Sequence, residues 1–253
     1  MNANDSIKRY SRQIILKEVG GQGQKLLMKS KVLIIGLGGL GSPVLQYLAA
    51  SGVGTIGLAD NDKVDLSNLH RQIIFSLKDI GSYKVSKAKK FISAVNSDIN
   101  VIPYKKKVDL LNVDKIISKY DIIVDCTDNH SSKLIINDAC YRGKKTLVYA
   151  SVSGFFGQVS TFKSFKIDGT GNPYPSYRCL KINQNNEDDC EHLGVLGPIA
   201  GVLGSIQATE VIKQILDEKE NLLGQLLIFD GLSYRMKLIK INWDQNNPLN
   251  GKS

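Results

Sequence analysis

The segment that decides the fold covers residues 31–72 and reads "KVLIIGLGGLGSPVLQYLAASGVGTIGLADNDKVDLSNLHRQ". It opens with an apolar run that ends at Gly36, which is typical of a parallel strand covered on both faces. A glycine-rich turn and a helix follow, and a second apolar run ends at Asp60. The segment therefore predicts a strand–turn–helix–strand unit of a nucleotide-binding sheet. Its polar end, "DNDKVDLSNLHRQ", has no evident use in a nicotinamide site.

Strands and helices continue to alternate as far as about Ser151. This alternation favours a Rossmann-like α/β fold, with a mostly parallel sheet and helices on both faces. A polar connection over residues 165–193 and a glycine-rich buried helix with Pro198 near its first turn come later. The adjacent strands "GQLLIFDG" and "SYRMKLIKIN" then predict a hairpin. Because no linker is rich enough to separate domains, we expect one domain over residues 1–253 with an antiparallel C-terminal extension.

The composition is that of a globular protein, with 42% hydrophobic and 23% charged residues. The net charge of +9 comes from scattered lysines without an aromatic platform, which indicates a solvated surface and disfavours a nucleic-acid partner. No apolar run has the length of a signal peptide or a membrane span, and the longest is broken by Pro198. Four irregularly spaced cysteines predict reduced thiols in a cytoplasmic protein.

Gly36, Gly38 and Gly41 form a G-x-G-x-x-G pattern between the first strand and the first helix of the segment. Such glycines allow a tight turn, a close approach of phosphate to the backbone, and close packing of helix on sheet. The unpaired N–H groups at the helix start would meet phosphate oxygens. Asp60 follows about 20 residues later, where a carboxylate commonly holds a ribose hydroxyl. The pattern predicts a nucleotide site but does not say which nucleotide binds.

The polar loop after the second strand holds Asn68, Arg71 and Gln72, and Lys84 follows it. Cations here would lie beside phosphates bound at the glycine turn. An enzyme that breaks the bond between the α- and β-phosphates needs them, since charge develops on the leaving pyrophosphate, whereas a hydride-transferring enzyme has little use for them. Solvated surface positions are the alternative, and the "SNLHRQ" cluster argues against it.

Asp128 and Asn129 follow the strand "IIVDC". The carboxyl ends of parallel strands share one edge of a sheet, so these residues should lie near Gly38 and Asp60. A carboxylate at this edge would hold a Mg²⁺ ion that bridges phosphates. Capping of the next helix is the alternative for "TDN", and both roles are compatible.

These motifs resemble the ThiF/MoeB/HesA group of ubiquitin-activating-like adenylyltransferases. The resemblance runs from Arg9 to about Asp230 through "RYSRQIIL", "GLGGLGSP", "GVGTIGLADNDKVDLSNLHRQ", "CTDN" and "YRCL…GVLGPIAGVLGSIQATEVIK". It implies an enzyme that uses ATP and Mg²⁺ to adenylate the C-terminal Gly-Gly carboxylate of a ubiquitin-like sulfur carrier, in molybdopterin or thiamin synthesis. It also implies N-terminal helices over 5–30, a nucleotide-binding half over 31–151, a carrier-binding antiparallel half over 152–241 and a tail over 242–253.

The resemblance also implies roles for individual residues. Gly39 and its neighbours would cradle phosphate, and Asp60 would hold the ribose. Phosphate contacts and magnesium binding would fall to Asn68, Arg71, Lys84 and Asp128, with Asn129 beside them. Arg12 would reach the site from the second subunit of a homodimer, in the manner of an arginine finger.

The chain departs from the family at a zinc site that many members form with two C-x-x-C pairs. Here the first pair is replaced by Ser176 and Cys179, and the second by Asn247 and Asn250. Tetrahedral thiolate coordination needs four ligands, so we expect no zinc.

Cys190 lies where some family members form a covalent link to the carrier. A following helix start would favour its thiolate, but Asp188, Asp189 and Glu191 would disfavour it, so both a transfer role and a loop role stay open. Cys126 and Cys140 are expected to be buried thiols.

Three further functions remain as alternatives. A nicotinamide-dependent oxidoreductase would use Gly36, Gly38, Gly41 and Asp60 but leave "SNLHRQ", Lys84 and "CTDN" without a role. A noncatalytic nucleotide-bound scaffold is suggested by the lost zinc ligands, and a tRNA-modifying relative by the basic charge.

Overall fold

The computed structural model describes residues 3–181 and 194–252. The helices in the described residues are α1 Ala3–Ile14, α2 Gly20–Lys29, α3 Gly41–Ala50, α4 Lys84–Val95, α5 Val113–Ile117, α6 His130–Arg142 and α7 Gly197–Leu216. The strands are β1 Lys31–Ile35, β2 Thr55–Ala59, β3 Asn100–Tyr104, β4 Ile122–Asp125, β5 Thr146–Ser153, β6 Phe156–Phe162, β7 Gln225–Asp230 and β8 Arg235–Lys240.

The described strands form one eight-stranded sheet in the order β3-β2-β1-β4-β5-β6-β7-β8. Strands β3, β2, β1, β4 and β5 run parallel to one another, and β6, β7 and β8 continue the sheet in antiparallel fashion from the edge of β5. The predicted fold class and the predicted hairpin, β7–β8, are thereby confirmed. The chain moves from β1 outward to β2 and β3 and then returns to β4 on the other side of β1. This reversal opens a crevice at the carboxyl ends of the strands, where ligands bind in sheets of this type.

Alternate residues of β1 build two separate cores, one on each face of the sheet. Val32 and Ile34 pack with residues of α3, α4 and α7 on one face. Leu33 and Ile35 pack with residues of α5 and α6 on the other. Burial on both faces explains why the strand reads as a continuous apolar run instead of an alternating one.

Polar side chains of α7 form hydrogen bonds with the sheet and support the edge at which the parallel strands have their carboxyl ends. Gln207 is buried, and its Nε2 donates to the carbonyl oxygens of Asp125 at 2.8 Å and Val148 at 3.1 Å. Glu210 accepts from Thr161 Oγ1 at 2.8 Å and from the Leu222 N–H at 2.9 Å. The helix thus holds β4 and β5 together and links β6 to the segment before β7. No helix in the described ranges is long and apolar enough to cross a bilayer.

Candidate functional site

A cavity of about 730 Å³ lies at the carboxyl ends of β1, β2 and β4. Most of the residues predicted from the sequence line it, namely Gly36, Gly38, Gly39, Asp60, Asn68, Arg71, Lys84, Asp128 and Asn129. They come from three different strand ends and from the loop after β2. The sheet topology therefore brings together side chains that are far apart in the chain.

The glycines of the turn serve two different purposes. Gly36 has φ +90°, and a Cβ there would lie 2.7 Å from the carbonyl oxygen of Cys126. A Cβ on Gly41 would overlap the carbonyl oxygen of Gly36. Around Gly38, in contrast, the nearest atom to a Cβ would be Gln72 Nε2 at 3.8 Å. The fold itself requires Gly36 and Gly41, whereas Gly38 leaves open a space that an added side chain would fill and a phosphate can enter.

Asp60 is fixed by the backbone on either side of it. Its Oδ2 accepts from the Leu37 N–H at 2.8 Å, and its Oδ1 accepts from the Asp62 N–H at 2.7 Å. Burial raises the pKa of Asp60 above its ordinary value, against the opposing effect of these two hydrogen bonds. The half-buried carboxylate thus orients the glycine turn and stays on the cavity wall.

The loop after β2 presents Arg71 to the glycine turn. A short 3₁₀ helix, Leu66–Asn68, is capped by Asp65, whose Oδ1 accepts from the Ser67 N–H at 2.8 Å. Arg71 Nη1 donates to the Ser67 carbonyl oxygen at 2.8 Å. The Cδ of Arg71 lies 3.5 Å from the position of a Cβ on Gly39. The guanidinium stem therefore runs along the turn, as expected for a phosphate contact.

Lys84 begins α4 and is only 5% exposed. Its Nζ lies 2.9 Å from Asp62 Oδ2, an ion pair that was not anticipated from the sequence. Asp62 belongs to the same "DNDK" stretch as Asp60, but spacing alone does not show that the chain folds it back onto α4. The pair holds the lysine at the cavity in a fixed position.

Asp128 and Asn129 lie in the loop between β4 and α6, and each suits one of the two roles considered for them, magnesium binding and helix capping. Asn129 caps α6, with its Oδ1 accepting from the Ser132 N–H at 2.9 Å. Asp128 is exposed on the cavity wall, and its Oδ1 accepts from Asn129 Nδ2 at 3.3 Å. Within the described residues no group of three or more His, Cys, Asp or Glu side chains could hold a metal ion. Mg²⁺ is commonly bound by one carboxylate together with substrate phosphates and water. Asp128 suits a magnesium site of this kind, in which the protein supplies one ligand and the nucleotide supplies others.

Among the described residues, two that the sequence predicts for the site, Gly41 and Arg12, are not part of the cavity lining. Arg12 is exposed near the end of α1, and its contact with a nucleotide bound by a second copy of the chain stays a prediction. Cys190 lies outside the described residues. Cys126 and Cys140 are buried as expected, and burial raises the pKa of both thiols.

The four positions that replace the cysteine pairs take part in hydrogen bonding. Asn247 Nδ2 donates to Ser176 Oγ at 2.8 Å and to Cys179 Sγ at 3.2 Å. Asn250 Nδ2 donates to the carbonyl oxygens of Ser164 at 2.9 Å and Tyr174 at 3.0 Å. Polar contacts thus fasten the C-terminal segment to the loop that carries Cys179.

The chain is similar in sequence to named adenylyltransferases and activating enzymes, and in structure to an ATP-bound protein. The probable molybdopterin-synthase adenylyltransferase of Porphyra purpurea is 42% identical over 233 residues, which cover 92% of this chain and 60% of that protein. The SAMP-activating enzyme E1 of Haloferax volcanii is 38% identical over 249 residues, 97% of this chain and 89% of that protein. The crystal structure of E. coli MccB with ATP is 25% identical at a TM-score of 0.78, and the match covers 90% of this chain and 68% of that one.

The chain therefore spans less than two thirds of the first of these relatives and most of the second. The model of the ThiF family matches residues 10–249, which is nearly all of the sequence. The resemblance inferred from the motifs is confirmed, and the chain belongs to the ThiF family.

Proposed function

We propose that this chain is an ATP-dependent adenylyltransferase that activates the C-terminal glycine carboxylate of a ubiquitin-like sulfur carrier protein. One observation carries the proposal: the open space at Gly38 belongs to the same cavity as Arg71, which lies along Gly39, and Lys84 and Asp128 also line this cavity. A glycine turn surrounded by fixed cations suits a triphosphate better than a dinucleotide that leaves unchanged. The adenylyltransferase and activating-enzyme names of the two relatives support the same activity.

The negative charges of the two reactants determine what the site must supply for this reaction. A carboxylate oxygen of the carrier attacks the α-phosphorus of ATP and forms the acyl-phosphate bond. The bond from the α-phosphorus to its bridging oxygen breaks, and pyrophosphate leaves with the electron pair. Both reactants are anionic, so the protein must supply cations and orientation, for which Arg71 and Lys84 are placed.

Mg²⁺ held by Asp128 and phosphate oxygens would neutralise part of the triphosphate charge. Residues 31–151 would hold the nucleotide, with Asp60 at the ribose and Asn68 and Asn129 along the phosphates. Residues 152–241 would hold the carrier. In a homodimer, Arg12 of the second copy would add a further cation to the site.

The relatives favour a molybdopterin-type carrier over a thiamin-type one, since one is named a molybdopterin-synthase adenylyltransferase. A carrier that ends in Gly-Gly, as the family resemblance implies, would have no side chains at its last two residues to obstruct the approach to the α-phosphorus. Identification of a small Gly-Gly-terminated protein that copurifies with the chain would support this assignment.

Carrier-dependent exchange of pyrophosphate into ATP tests the proposal. Arg71→Ala and Asp128→Ala should each abolish exchange, because they remove a phosphate cation and the magnesium ligand. Arg142→Ala and Asp114→Ala are matched controls, since these residues form an exposed ion pair outside the cavity lining and should leave exchange unchanged. Full exchange in both site variants would contradict the assignment.

Binding and exchange measurements on the unmodified protein distinguish the three alternative functions from the proposed one. An oxidoreductase would bind NAD more tightly than ATP in a thermal-shift comparison. A noncatalytic scaffold would bind the carrier without forming an adenylate, and a tRNA-modifying enzyme would exchange pyrophosphate with a small carboxylate in place of the carrier. Each of these results would replace the proposed function.

We also propose that the protein works without structural zinc, because the Asn247–Ser176–Cys179 contacts replace metal ligation. Metal analysis of the purified protein should show no stoichiometric zinc, and EDTA should leave the melting temperature unchanged. Stoichiometric zinc would contradict this.

A further inference from the structure

A buried ion pair lies directly behind the part of the cavity wall that carries Asp128. Asp125 is the last residue of β4 and is 0% exposed, and Lys133 is the fourth residue of α6 and is 4% exposed. Lys133 Nζ lies 3.4 Å from Asp125 Oδ2. The cavity lining includes Thr127 and Asp128 but neither member of the pair. The two charges therefore support the wall from inside the protein.

The carboxylate of Asp125 fixes the turn that leads to Asp128. Its Oδ1 accepts from the Thr127 N–H at 2.9 Å and from Thr127 Oγ1 at 2.6 Å. Both donors belong to the residue directly before Asp128. Asp128 itself is exposed, and its Oδ1 accepts from Asn129 Nδ2 at 3.3 Å. The direction of the Asp128 side chain thus depends on how firmly the backbone of this turn is held.

Lys133 joins the same carboxylate to α6 and to β5. Its Nζ donates to Asp125 Oδ2 and, at 3.0 Å, to the Ala150 carbonyl oxygen. It also lies 4.9 Å from the centre of the Tyr149 ring, which is a cation–π contact. Ser151, which lines the cavity, follows Ala150 directly. One ammonium group therefore holds the turn after β4, the start of α6 and the end of β5 in a single arrangement.

The stability of the fold does not by itself explain this ion pair. Removing two charges from water offsets most of their attraction, and apolar groups of similar volume often stabilise a protein equally well. The start of α6 does not require the pair either, because Asn129 caps that helix. What the pair does supply is a fixed geometry for the turn that its two members enclose.

We infer that Asp125 and Lys133 are positioning residues, which hold the turn at Thr127 so that the Asp128 carboxylate faces the magnesium ion of MgATP. The inference rests on the proposed function, because it takes Asp128 as the magnesium ligand. Lys133 also neutralises Asp125, so this second carboxylate adds no net charge beneath a site that receives a triphosphate. Both residues act through Asp128 and not by touching the nucleotide.

Lys133→Met removes the ammonium group and keeps an unbranched side chain of similar length. Calorimetric titration should show MgATP binding about tenfold more weakly, because the ligand carboxylate is no longer oriented. Metal-free ATP, titrated in EDTA, should bind with unchanged affinity. Arg178→Met is the matched control, since Arg178 pairs with Asp138 of the same helix outside the cavity lining, and it should change neither affinity. Equal weakening of MgATP and metal-free ATP would overturn the inference.

A second variant covers the case in which Lys133→Met fails to fold because it leaves the Asp125 charge unpaired. Combining Asp125→Leu with Lys133→Met replaces the pair by apolar groups of similar volume, which should preserve folding. This variant should show the same selective loss of MgATP affinity. Unchanged MgATP affinity in the folded double variant would overturn the inference.

A double-mutant cycle distinguishes action through Asp128 from general damage to the site. Lys133→Met should weaken MgATP binding about tenfold in the unmodified protein, and should have no further effect in the Asp128→Ala background. The reason is that the carboxylate through which it acts is already missing there. Equal losses in both backgrounds would show that the pair acts independently of Asp128.

Hydrogen exchange tests the positioning without nucleotide or metal. Lys133→Met retains Asp125 as the acceptor of the Thr127 N–H, so faster exchange at Thr127 reports a loosened turn. Val124, within β4, is the control amide and should exchange at its original rate. Unchanged exchange at Thr127 would overturn the inference. If the unmodified protein binds no ATP, the proposed function fails; if it binds MgATP and the Lys133 variants match it, only the role of the pair fails.

Discussion

At the scale of single residues, the glycine turn separates what the fold needs from what a ligand needs. Gly36 adopts a left-handed conformation that strains any other residue, and the carbonyl of Cys126 leaves no room for a side chain there. Gly38 has neither restriction. The sequence pattern does not distinguish the two glycines, because a motif gives the spacing of residues. It does not give the backbone conformation of each glycine or the free space beside its Cα.

Alanine substitutions should therefore have contrasting effects. Gly36→Ala should destabilise the fold by about 2 kcal/mol or more, because it combines backbone strain with a steric clash. Gly38→Ala should change the free energy of unfolding by less than about 1 kcal/mol and still weaken ATP binding by about tenfold. Urea unfolding and calorimetry measure the two effects. Equal destabilisation by both substitutions would contradict the assigned roles.

The carboxyl of Asp60 adds a pH dependence. Burial raises its pKa in the folded state, so the folded protein keeps a proton at pH values where the unfolded chain has lost it. The contribution of Asp60 to the free energy of unfolding should therefore fall as the pH rises from its ordinary pKa of about 4 through the raised value. Urea unfolding of the unmodified protein and Asp60→Asn between pH 4 and 7 measures this, and a difference that grows in favour of the unmodified protein as the pH rises would contradict it.

At the scale of elements, the C-terminal segment shows which contacts hold the chain where the family resemblance implies missing zinc ligands. The sequence predicts that zinc ligands are missing, but it does not predict what holds the segment instead. Nothing in the sequence distinguishes Asn247 and Asn250 from other asparagines. In the structure, Asn247 donates to Ser176 and Cys179, and Asn250 donates to two backbone carbonyl oxygens. Hydrogen bonds between distant segments leave no periodic signal in a sequence.

Asn247→Ala should loosen this segment. Asn247 is buried, and its truncation removes one of the donors to Ser176 Oγ and to Cys179 Sγ together with the acceptor of the Leu249 N–H, which should cost about 1–3 kcal/mol. Hydrogen exchange should accelerate at Leu249 and Gly251, whose N–H groups donate to Asn247 oxygens. Asn246→Ala is the matched control, since Asn246 is exposed and should leave both measurements unchanged. Unaltered exchange in Asn247→Ala would show that the segment is held by other contacts.

At the scale of the whole molecule, most of the fold is predictable because strand and helix patterns alternate so regularly. The meeting of the predicted site residues at one edge is also predictable, since parallel strands bring their carboxyl ends to one edge regardless of loop details, while the roles of these residues stay predictions. The Lys84–Asp62 ion pair and the buried Gln72 Oε1, which has no hydrogen-bond partner, are not predictable, because they depend on how the loop after β2 folds back on itself. The contact of Arg12 with the site of a second copy of the chain remains a prediction.

The central claim is that the triphosphate of ATP lies over Gly38, between the glycine turn and the side chains of Arg71, Lys84 and Asp128. A crystal structure of the protein with a nonhydrolysable ATP analogue and Mg²⁺ tests it most directly. The account predicts phosphate oxygens within hydrogen-bond distance of Arg71 and Lys84, with the metal ion at Asp128. A nucleotide bound elsewhere, or these side chains turned toward solvent and away from the phosphates, would contradict it.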